Sequence, residues 1–181
     1  GKKVIDQFWE LKFIKKPSDI FKLNYDSIKK LEGLGELSII NLKQAIVKAQ
    51  TIKLDKFIFS IGIRHIGQEN AKILAGFFET IINFTKLFNQ EKRNQLLKNL
   101  VDLDGIGETQ IHSIDIFFSS QTNIRIIQNL ISELNITNYK IKNTQGKFSN
   151  KKLMFTGGFQ KMSRSEAKVV AENNGGKVLG T

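Results

Sequence analysis

A short glycine motif that recurs along the chain constrains the fold more than any other feature. Residues 31–36 read Leu-Glu-Gly-Leu-Gly-Glu, and residues 103–108 read Leu-Asp-Gly-Ile-Gly-Glu. Residues 61–71 keep the final apolar-glycine pair, and residues 1–5 have the form of a further copy cut at its second glycine. The closing glycines stand at positions 1, 35, 67 and 107, which gives spacings of 34, 32 and 40 residues. A unit that recurs at this period predicts a tandem array of small supersecondary units.

The segments between the motifs have the periodicity of short amphipathic helices. Apolar residues recur at helical spacing in Ile39, Leu42 and Ile46, and again over residues 73–78 and 124–134. No heptad repeat continues far enough for a coiled coil. The sequence therefore predicts a mainly α fold, with an all-helical bundle over residues 1–140.

The chemistry of the motif suits contact with an anion. Glycine adopts the positive φ that a tight connection needs, and the apolar residue between the glycines can turn inward. The second glycine leaves the backbone uncovered at the start of the next helix, where unpaired N–H groups and the helix dipole favour a phosphate. Such a contact binds a phosphate and does not distinguish one base from another.

Composition agrees with a nucleic-acid partner and excludes several other classes. The formal net charge is +11, and 24 of the 28 basic residues are Lys. Because Lys codons are rich in A and T, this excess alone is weak evidence for binding. The absence of Cys excludes disulfides, thiolate zinc sites and a Cys nucleophile. No apolar run is long enough to span a membrane, and residues 1–6 do not resemble a secretory signal.

Histidines and aromatic residues offer little independent evidence of a site. His65 lies in the third motif beside Arg64 and is a candidate for a phosphate or minor-groove contact, whereas His112 is expected to be a packing or surface residue. Neither has the partners that a metal site needs. The aromatic residues at helical spacing are expected to pack in the core: Phe8, Trp9, Phe57, Phe59, Phe77 and Phe78. No catalytic constellation is visible, so we expect no catalysis from this chain alone.

The last forty residues have a different pattern. Residues 141–147 are polar and cationic and read as a linker. Residues 151–156 then resemble a strand, Ser163 and Glu166 have capping-box spacing for a helix through about residue 174, and residues 177–179 resemble a second strand. A strand, a helix and a strand in this order predict a parallel pair.

The repeated motif resembles the helix-hairpin-helix motif of DNA-binding proteins that do not read sequence, so residues 1–140 are expected to form an (HhH)4 bundle. The order of several strings further resembles the C-terminal half of bacterial NAD⁺-dependent DNA ligases. The most specific strings are Gly62-Ile63-Arg64-His65-Ile66-Gly67 and Met162-Ser163-Arg164-Ser165-Glu166-Ala167. Residues 148–181 are similar to the first half of the BRCT domain of those ligases, an incomplete α/β segment.

This resemblance implies a function and a set of contacts. Such ligases seal nicks between a 5′-phosphate and a 3′-hydroxyl in replication and repair. They use NAD⁺, Mg²⁺ and a structural Zn²⁺, through domains expected upstream of this chain. The implied partners are nicked double-stranded DNA and those upstream domains, and the implied setting is a monomer in the bacterial cytoplasm at the nucleoid. By motif match, the DNA-contact candidates are Lys2, Lys3, Gly33, Leu34, Gly35, Arg64, His65, Gly67, Gly105, Ile106 and Gly107.

Two alternatives remain open from the sequence. The tandem motifs could belong to a repair nuclease or a polymerase, since glycine hairpins alone do not separate those proteins from ligases. The glycine pairs could also be simple turns in a helical scaffold for protein interaction. Two positions depart from the small Ala that this superfamily often has four residues after the hairpin glycine. Ala71 keeps that pattern, whereas Ile39 and Ile111 do not, so local packing at those two hairpins is expected to depart from it.

Overall fold

The computed structural model describes residues 2–31, 33–139, 146–149, 151–159 and 162–179. The chain divides into two compact units, Gly1–Tyr139 and Lys140–Thr181. The predicted linker, residues 141–147, lies mostly outside the described residues. None of the helices in the described ranges combines the length and the apolar character of a membrane span.

The first unit begins with a small group of helices around its own core. Its elements are α1 (Lys2–Glu10), a 3-10 helix (Pro17–Lys22), α2 (Tyr25–Ile28) and α3 (Glu36–Ala49). We call the core of this group the N-terminal cluster, which consists of Phe8, Ile14, Leu23, Ile28, Ile39 and Ile46. Ile39 is buried in it, so the larger residue that replaces the usual Ala at this position is accommodated.

The rest of the first unit surrounds a larger core. Its helices are α4 (Leu54–Ser60), α5 (Gln68–Phe78), α6 (Ile81–Phe84), a 3-10 helix (Thr85–Phe88), α7 (Gln90–Leu100), α8 (Glu108–Ser119) and α9 (Gln121–Glu133). We call this core the central cluster. It includes a series of edge-to-face aromatic contacts, with Phe84 at 6.5, 5.2 and 5.5 Å, between ring centroids, from Phe57, Phe78 and Phe118.

Side-chain caps mark where several of these helices begin. The Asn24 side chain accepts hydrogen bonds from the Asp26 and Ser27 amides at the start of α2. Thr80, Asn89 and Ser120 cap α6, α7 and α9 in the same way. Each cap provides a partner for an amide that the helix itself cannot pair. The short polar residues between the apolar segments therefore fix the helix boundaries.

The prediction of an all-helical first unit is wrong in one detail, although the mainly α class is confirmed. Strand β1 (Thr51–Lys53) pairs in parallel with β2 (Asn135–Thr137), with Ile52 opposite Ile136. Just beyond β2, the Tyr139 amide donates to the Glu79 carbonyl at 2.8 Å. The pair joins the segment before α4 to the segment after α9.

One buried cation connects the helices of the central cluster. Arg93 on α7 is 5% exposed. Its guanidinium donates to Asp115 Oδ1 at 2.8 Å, to the Leu87 and Phe118 carbonyls at 3.1 and 3.0 Å, and to Ser119 Oγ at 3.1 Å. It therefore provides partners for carbonyl and hydroxyl oxygens at the end of α8 and in the second 3-10 helix.

The second unit contains the predicted strand, helix and strand. Strand β3 (Lys152–Leu153) pairs in parallel with β4 (Lys177–Val178), and α10 (Arg164–Asn173) lies between them in the chain. The Ser163 hydroxyl accepts from the Glu166 amide, and the Ser163 amide donates to Glu166 Oε2 at 2.7 Å. The capping box and the parallel pair are thus confirmed, although β3 is shorter than the predicted strand.

Candidate nucleic-acid interface

Three hairpins in the first unit share one backbone conformation. In each hairpin the residue two positions before the closing glycine has a positive φ: 84° at Gly33, 61° at His65 and 92° at Gly105. Two residues later, Gly35, Gly67 and Gly107 have extended backbones and directly precede α3, α5 and α8. The recurring motif therefore encodes a recurring structure. Gly1, which closes the predicted first copy, lies outside the described residues.

His65 takes the place that glycine has in the other two hairpins. The third motif keeps only its last apolar-glycine pair, so the glycine pattern alone does not identify His65 as an equivalent position. An alignment of His65-Ile66-Gly67 with Gly33-Leu34-Gly35 does identify it. A side chain at positive φ is strained relative to glycine, so His65 is held there by its surroundings.

The apolar residue inside each hairpin anchors it to a core. Ile66 and Ile106 are buried in the central cluster, and Leu34 is half-buried against the N-terminal cluster. The predicted inward turn is confirmed fully in two hairpins and partly in the third. The glycines on either side of the buried residue remain at the surface. All five are exposed: Gly33, Gly35, Gly67, Gly105 and Gly107.

The helices that follow the hairpins begin at the second glycine. The first backbone hydrogen bond of each runs to that glycine's carbonyl: from Ile39 at 3.1 Å, from Ala71 at 2.9 Å and from Ile111 at 3.1 Å. Helix geometry directs the earlier amides of the first turn toward the hairpin surface. Glu36, Glu69 and Glu108 add acidic groups in the same turns, so a phosphate there would depend on backbone amides.

Two glycine amides that the sequence predicted to be uncovered have partners. The Gly67 amide donates to Asn70 Oδ1 at 3.2 Å, and the Gly107 amide donates to Gln110 Oε1 at 3.1 Å. Both acceptors belong to half-buried side chains, so these two glycine amides are already paired. A phosphate at these hairpins would therefore bind the later amides of the first turn.

The structure brings the predicted residues together in two groups. In the first, Lys2 and Lys3 at the start of α1 line an open groove together with Gly33 and Leu34. Asp6 and Glu10 also line this groove, so its charge is mixed. Both lysines are exposed.

The second group consists of the hairpins at residues 62–67 and 103–107. His65 Nδ1 lies 3.0 Å from Ser113 Oγ on α8. Because the Ser113 hydroxyl donates its proton to the Thr109 carbonyl at 2.8 Å, the proton between Ser113 and His65 belongs to Nδ1. The exposed Arg64 precedes His65, so this hairpin carries both of the side chains that the sequence had singled out.

The expectation about aromatic packing is right for some residues and wrong for others. Phe8, Phe57 and Phe78 are buried and Phe77 is half-buried, whereas Trp9 is 56% exposed and Phe59 is 41% exposed. Helical spacing alone does not identify which residue of an apolar pair faces inward. His112 is exposed on α8, in agreement with the surface role predicted for it. Among the described residues, no cluster of three His, Asp or Glu side chains could hold a metal ion.

Comparison with known proteins agrees with this geometry. A family model described as the helix-hairpin-helix motif matches residues 56–127, which contain the second group of hairpins. A DNA ligase of Pelagibacter ubique is 44% identical over 179 residues, covering 99% of this chain and 26% of the ligase. DNA ligases of Rickettsia bellii and of Wolbachia pipientis are 39% and 38% identical, each over 98% of this chain and 27% of the ligase.

The chain thus spans about a quarter of the length of the curated relatives that it matches. Its residues 56–127 match the helix-hairpin-helix motif, and along nearly all of its own length the chain is similar to a segment of these DNA ligases.

Proposed function

We propose that this chain binds duplex DNA through the backbones of its hairpins, with little sequence preference, as the DNA-binding region of an NAD⁺-dependent DNA ligase. The observation that carries the proposal is the repeated backbone geometry of the three hairpins. Each places an exposed extended glycine directly before a helix of eleven residues or more. The similarity to DNA ligases supports DNA as the ligand of these hairpins.

The binding mechanism follows from the helix starts. Amides of the first turn and the positive end of the helix dipole face a phosphate oxygen, and a glycine without a side chain lets the phosphate approach closely. Lys2 and Lys3 would add charge beside the hairpin that contains Gly35. Contacts of this kind carry no base information, which suits an enzyme that must act at a nick in any sequence.

In this proposal the chain positions DNA and does not catalyse ligation. The parent enzyme would seal nicks that have 5′-phosphate and 3′-hydroxyl ends, with NAD⁺, Mg²⁺ and a structural Zn²⁺ bound by other parts of the protein. The second unit would be part of a BRCT domain. The setting would be the bacterial cytoplasm at the nucleoid, with the chain acting as a monomer on nicked duplex.

Bulky substitution of a hairpin glycine should weaken DNA binding without damaging the fold. A Cβ at Gly35 meets no atom within 4 Å, and a Cβ at Gly107 meets only Gln110 Oε1 at 3.3 Å. Gly35→Val and Gly107→Val should therefore each weaken binding at least about tenfold, because a charge-assisted hydrogen bond contributes about 1.5–3 kcal/mol. Fluorescence anisotropy with nicked and intact duplexes of several sequences measures the loss.

Gly158→Val is the matched control, since a Cβ there also meets open space and the residue lies in the second unit. It should leave affinity unchanged. The hairpin variants should lose affinity equally for every sequence. A loss confined to one sequence would contradict backbone recognition, and no binding at low salt by the unchanged protein would favour a scaffold for protein interaction.

Salt dependence provides a second test. If the hairpins and lysines contact phosphates, the logarithm of the association constant should fall linearly with the logarithm of salt concentration, by about 0.9 for each phosphate neutralised. Lys2→Gln and Lys3→Gln should each reduce this slope by about one. Glu10→Gln, which changes an acidic residue of the same groove, is expected not to reduce it. A flat salt response would refute the electrostatic part of the proposal.

The parent protein can be tested separately. A repair nuclease or polymerase with tandem hairpins would also bind duplex DNA. The proposal expects a lysine-adenylation motif and four spaced cysteines in the same gene upstream of this segment, and AMP transfer from NAD⁺ by the full-length protein. If the full-length protein bound duplex DNA but cut or extended it, the proposed DNA interface would stand and the proposed ligase parent would be wrong.

A further inference from the structure

The side chain of Asn70 joins two hairpins that are distant in the sequence. Asn70 is the third residue of α5, and its Oδ1 accepts from the Gly67 amide of its own hairpin at 3.2 Å. Its Nδ2 donates to the Gly105 carbonyl of the other hairpin at 2.8 Å. One amide group therefore connects the backbones of both proposed phosphate contacts.

Two further contacts connect each of these hairpins with the helix that follows the other. His65 and Gly105 hold the same position in their hairpins, and Ser113 and Ile73 each lie six residues after the closing glycine. His65 Nδ1 donates to Ser113 Oγ at 3.0 Å. A Cβ on Gly105 would lie 2.7 Å from Ile73 Cδ1. Each hairpin thus meets the helix that follows the other, as in a pair related by an approximate twofold axis.

We propose that Asn70 is a positioning residue that fixes the spacing of these two hairpins, so that they engage two phosphates of a duplex as one unit. The inference rests on the proposed function. Phosphates of a duplex lie at set distances, so two contacts held in register avoid the ordering cost of binding them separately. Loss of the bridge would weaken binding even though Asn70 touches no phosphate.

Gln110 offers a matched comparison within the same pair. It is the third residue of α8, and its Oε1 accepts from the Gly107 amide at 3.1 Å, as Asn70 Oδ1 does from Gly67. Among the described residues, it makes no hydrogen bond to the hairpin at 62–67. The two side chains therefore share the local bond and differ in the bridge.

Asn70→Asp and Gln110→Glu isolate that difference in the full chain. Each variant keeps the local acceptor and adds one negative charge in the first turn of a helix, where the dipole tolerates it. Only Asn70→Asp replaces the bridging donor with an oxygen that faces the Gly105 carbonyl. Both variants should bind nicked duplex more weakly because of the charge. Asn70→Asp should show an additional loss of about fivefold, within the range of typical coupling between sites.

A double-mutant cycle separates positioning from local damage. Asn70→Ala and Gly107→Val should give a combined loss smaller than the product of the two single losses, since both disrupt the same paired contact. The losses of affinity caused by Asn70→Ala and by Gly35→Val should multiply, because Gly35 precedes α3, which packs in the N-terminal cluster and not at the paired hairpins. Thermal unfolding of each variant verifies that the protein tested is folded.

The outcomes distinguish the two proposals. Equal losses for Asn70→Asp and Gln110→Glu, or losses that multiply for Asn70→Ala and Gly107→Val, would overturn the positioning role while duplex binding by the unchanged protein leaves the proposed function intact. Failure of the unchanged protein to bind nicked duplex at low salt would overturn the proposed function, and the positioning role with it.

Discussion

At the scale of single residues, His65 presents a direct conflict between local backbone preference and position. Its φ of 61° suits glycine, which stands at the equivalent place in the other hairpins. The imidazole bond to Ser113 offsets part of that cost, since a hydrogen bond contributes about 1 kcal/mol and a left-handed residue costs about 1–2 kcal/mol. The hairpin therefore keeps a side chain that makes a specific contact without a net gain in stability.

This balance predicts an unusual order of stability. Both His65→Gly and His65→Ala lose the bond to Ser113, but only Ala retains the strain of the positive φ. His65→Gly should therefore have a free energy of unfolding about 1 kcal/mol above that of His65→Ala, as measured by urea denaturation. Arg64 is not among the residues with positive φ, so the order should reverse for Arg64→Gly and Arg64→Ala. A free energy of unfolding for His65→Ala equal to or above that of His65→Gly would contradict the strain at His65.

At the scale of elements, Arg93 determines how α7 meets the end of α8. Arg93→Met should lower the free energy of unfolding by about 3 kcal/mol, because it removes four hydrogen bonds from a buried site and leaves two carbonyls without their donor. Asp115 is 44% exposed in its side chain, so Asp115→Asn should cost less than about 1 kcal/mol. Urea unfolding of both variants measures the difference. Similar costs would assign the stability to the ion pair and not to the buried carbonyls.

The elements also show which parts of the fold and site the sequence could predict. Helices such as α3 and α8 follow a glycine and carry apolar residues at helical spacing, so local signals identify them. Strands β1 and β2 have three residues each and pair across most of the first unit, and no local pattern indicates that pairing. The hairpin glycines were likewise predictable, whereas the bridge from Asn70 depends on a contact between distant hairpins that only the folded chain reveals.

At the scale of the first unit, the N-terminal and central clusters are connected by an ion pair. Lys22 Nζ, in the first 3-10 helix, lies 2.6 Å from Glu133 Oε1 at the end of α9. The hydrogen bond from Lys22 holds the pKa of Glu133 below its usual range, against some opposing desolvation. The bond therefore links the segment that supports the Gly35 hairpin to the helices that support the other two.

A lowered folded-state pKa makes this connection dependent on pH. Glu133 contributes stability above its unfolded-state pKa, and that contribution is lost as the pH falls through the lower folded-state value. Lys22→Met should raise the pKa of Glu133 toward its normal range, as measured by NMR titration of its side-chain carboxyl. It should also lower the unfolding midpoint at about pH 7 and leave it unchanged at a pH low enough to protonate Glu133 in both states. Lys16→Gln should also raise the pKa of Glu133, but by less, because the charge of Lys16 has the smallest of the effects on that pKa. If Lys22→Met lowered the midpoint equally at both pH values, the effect would come from packing of the lysine chain, and the two clusters would be joined by apolar contact rather than by charge.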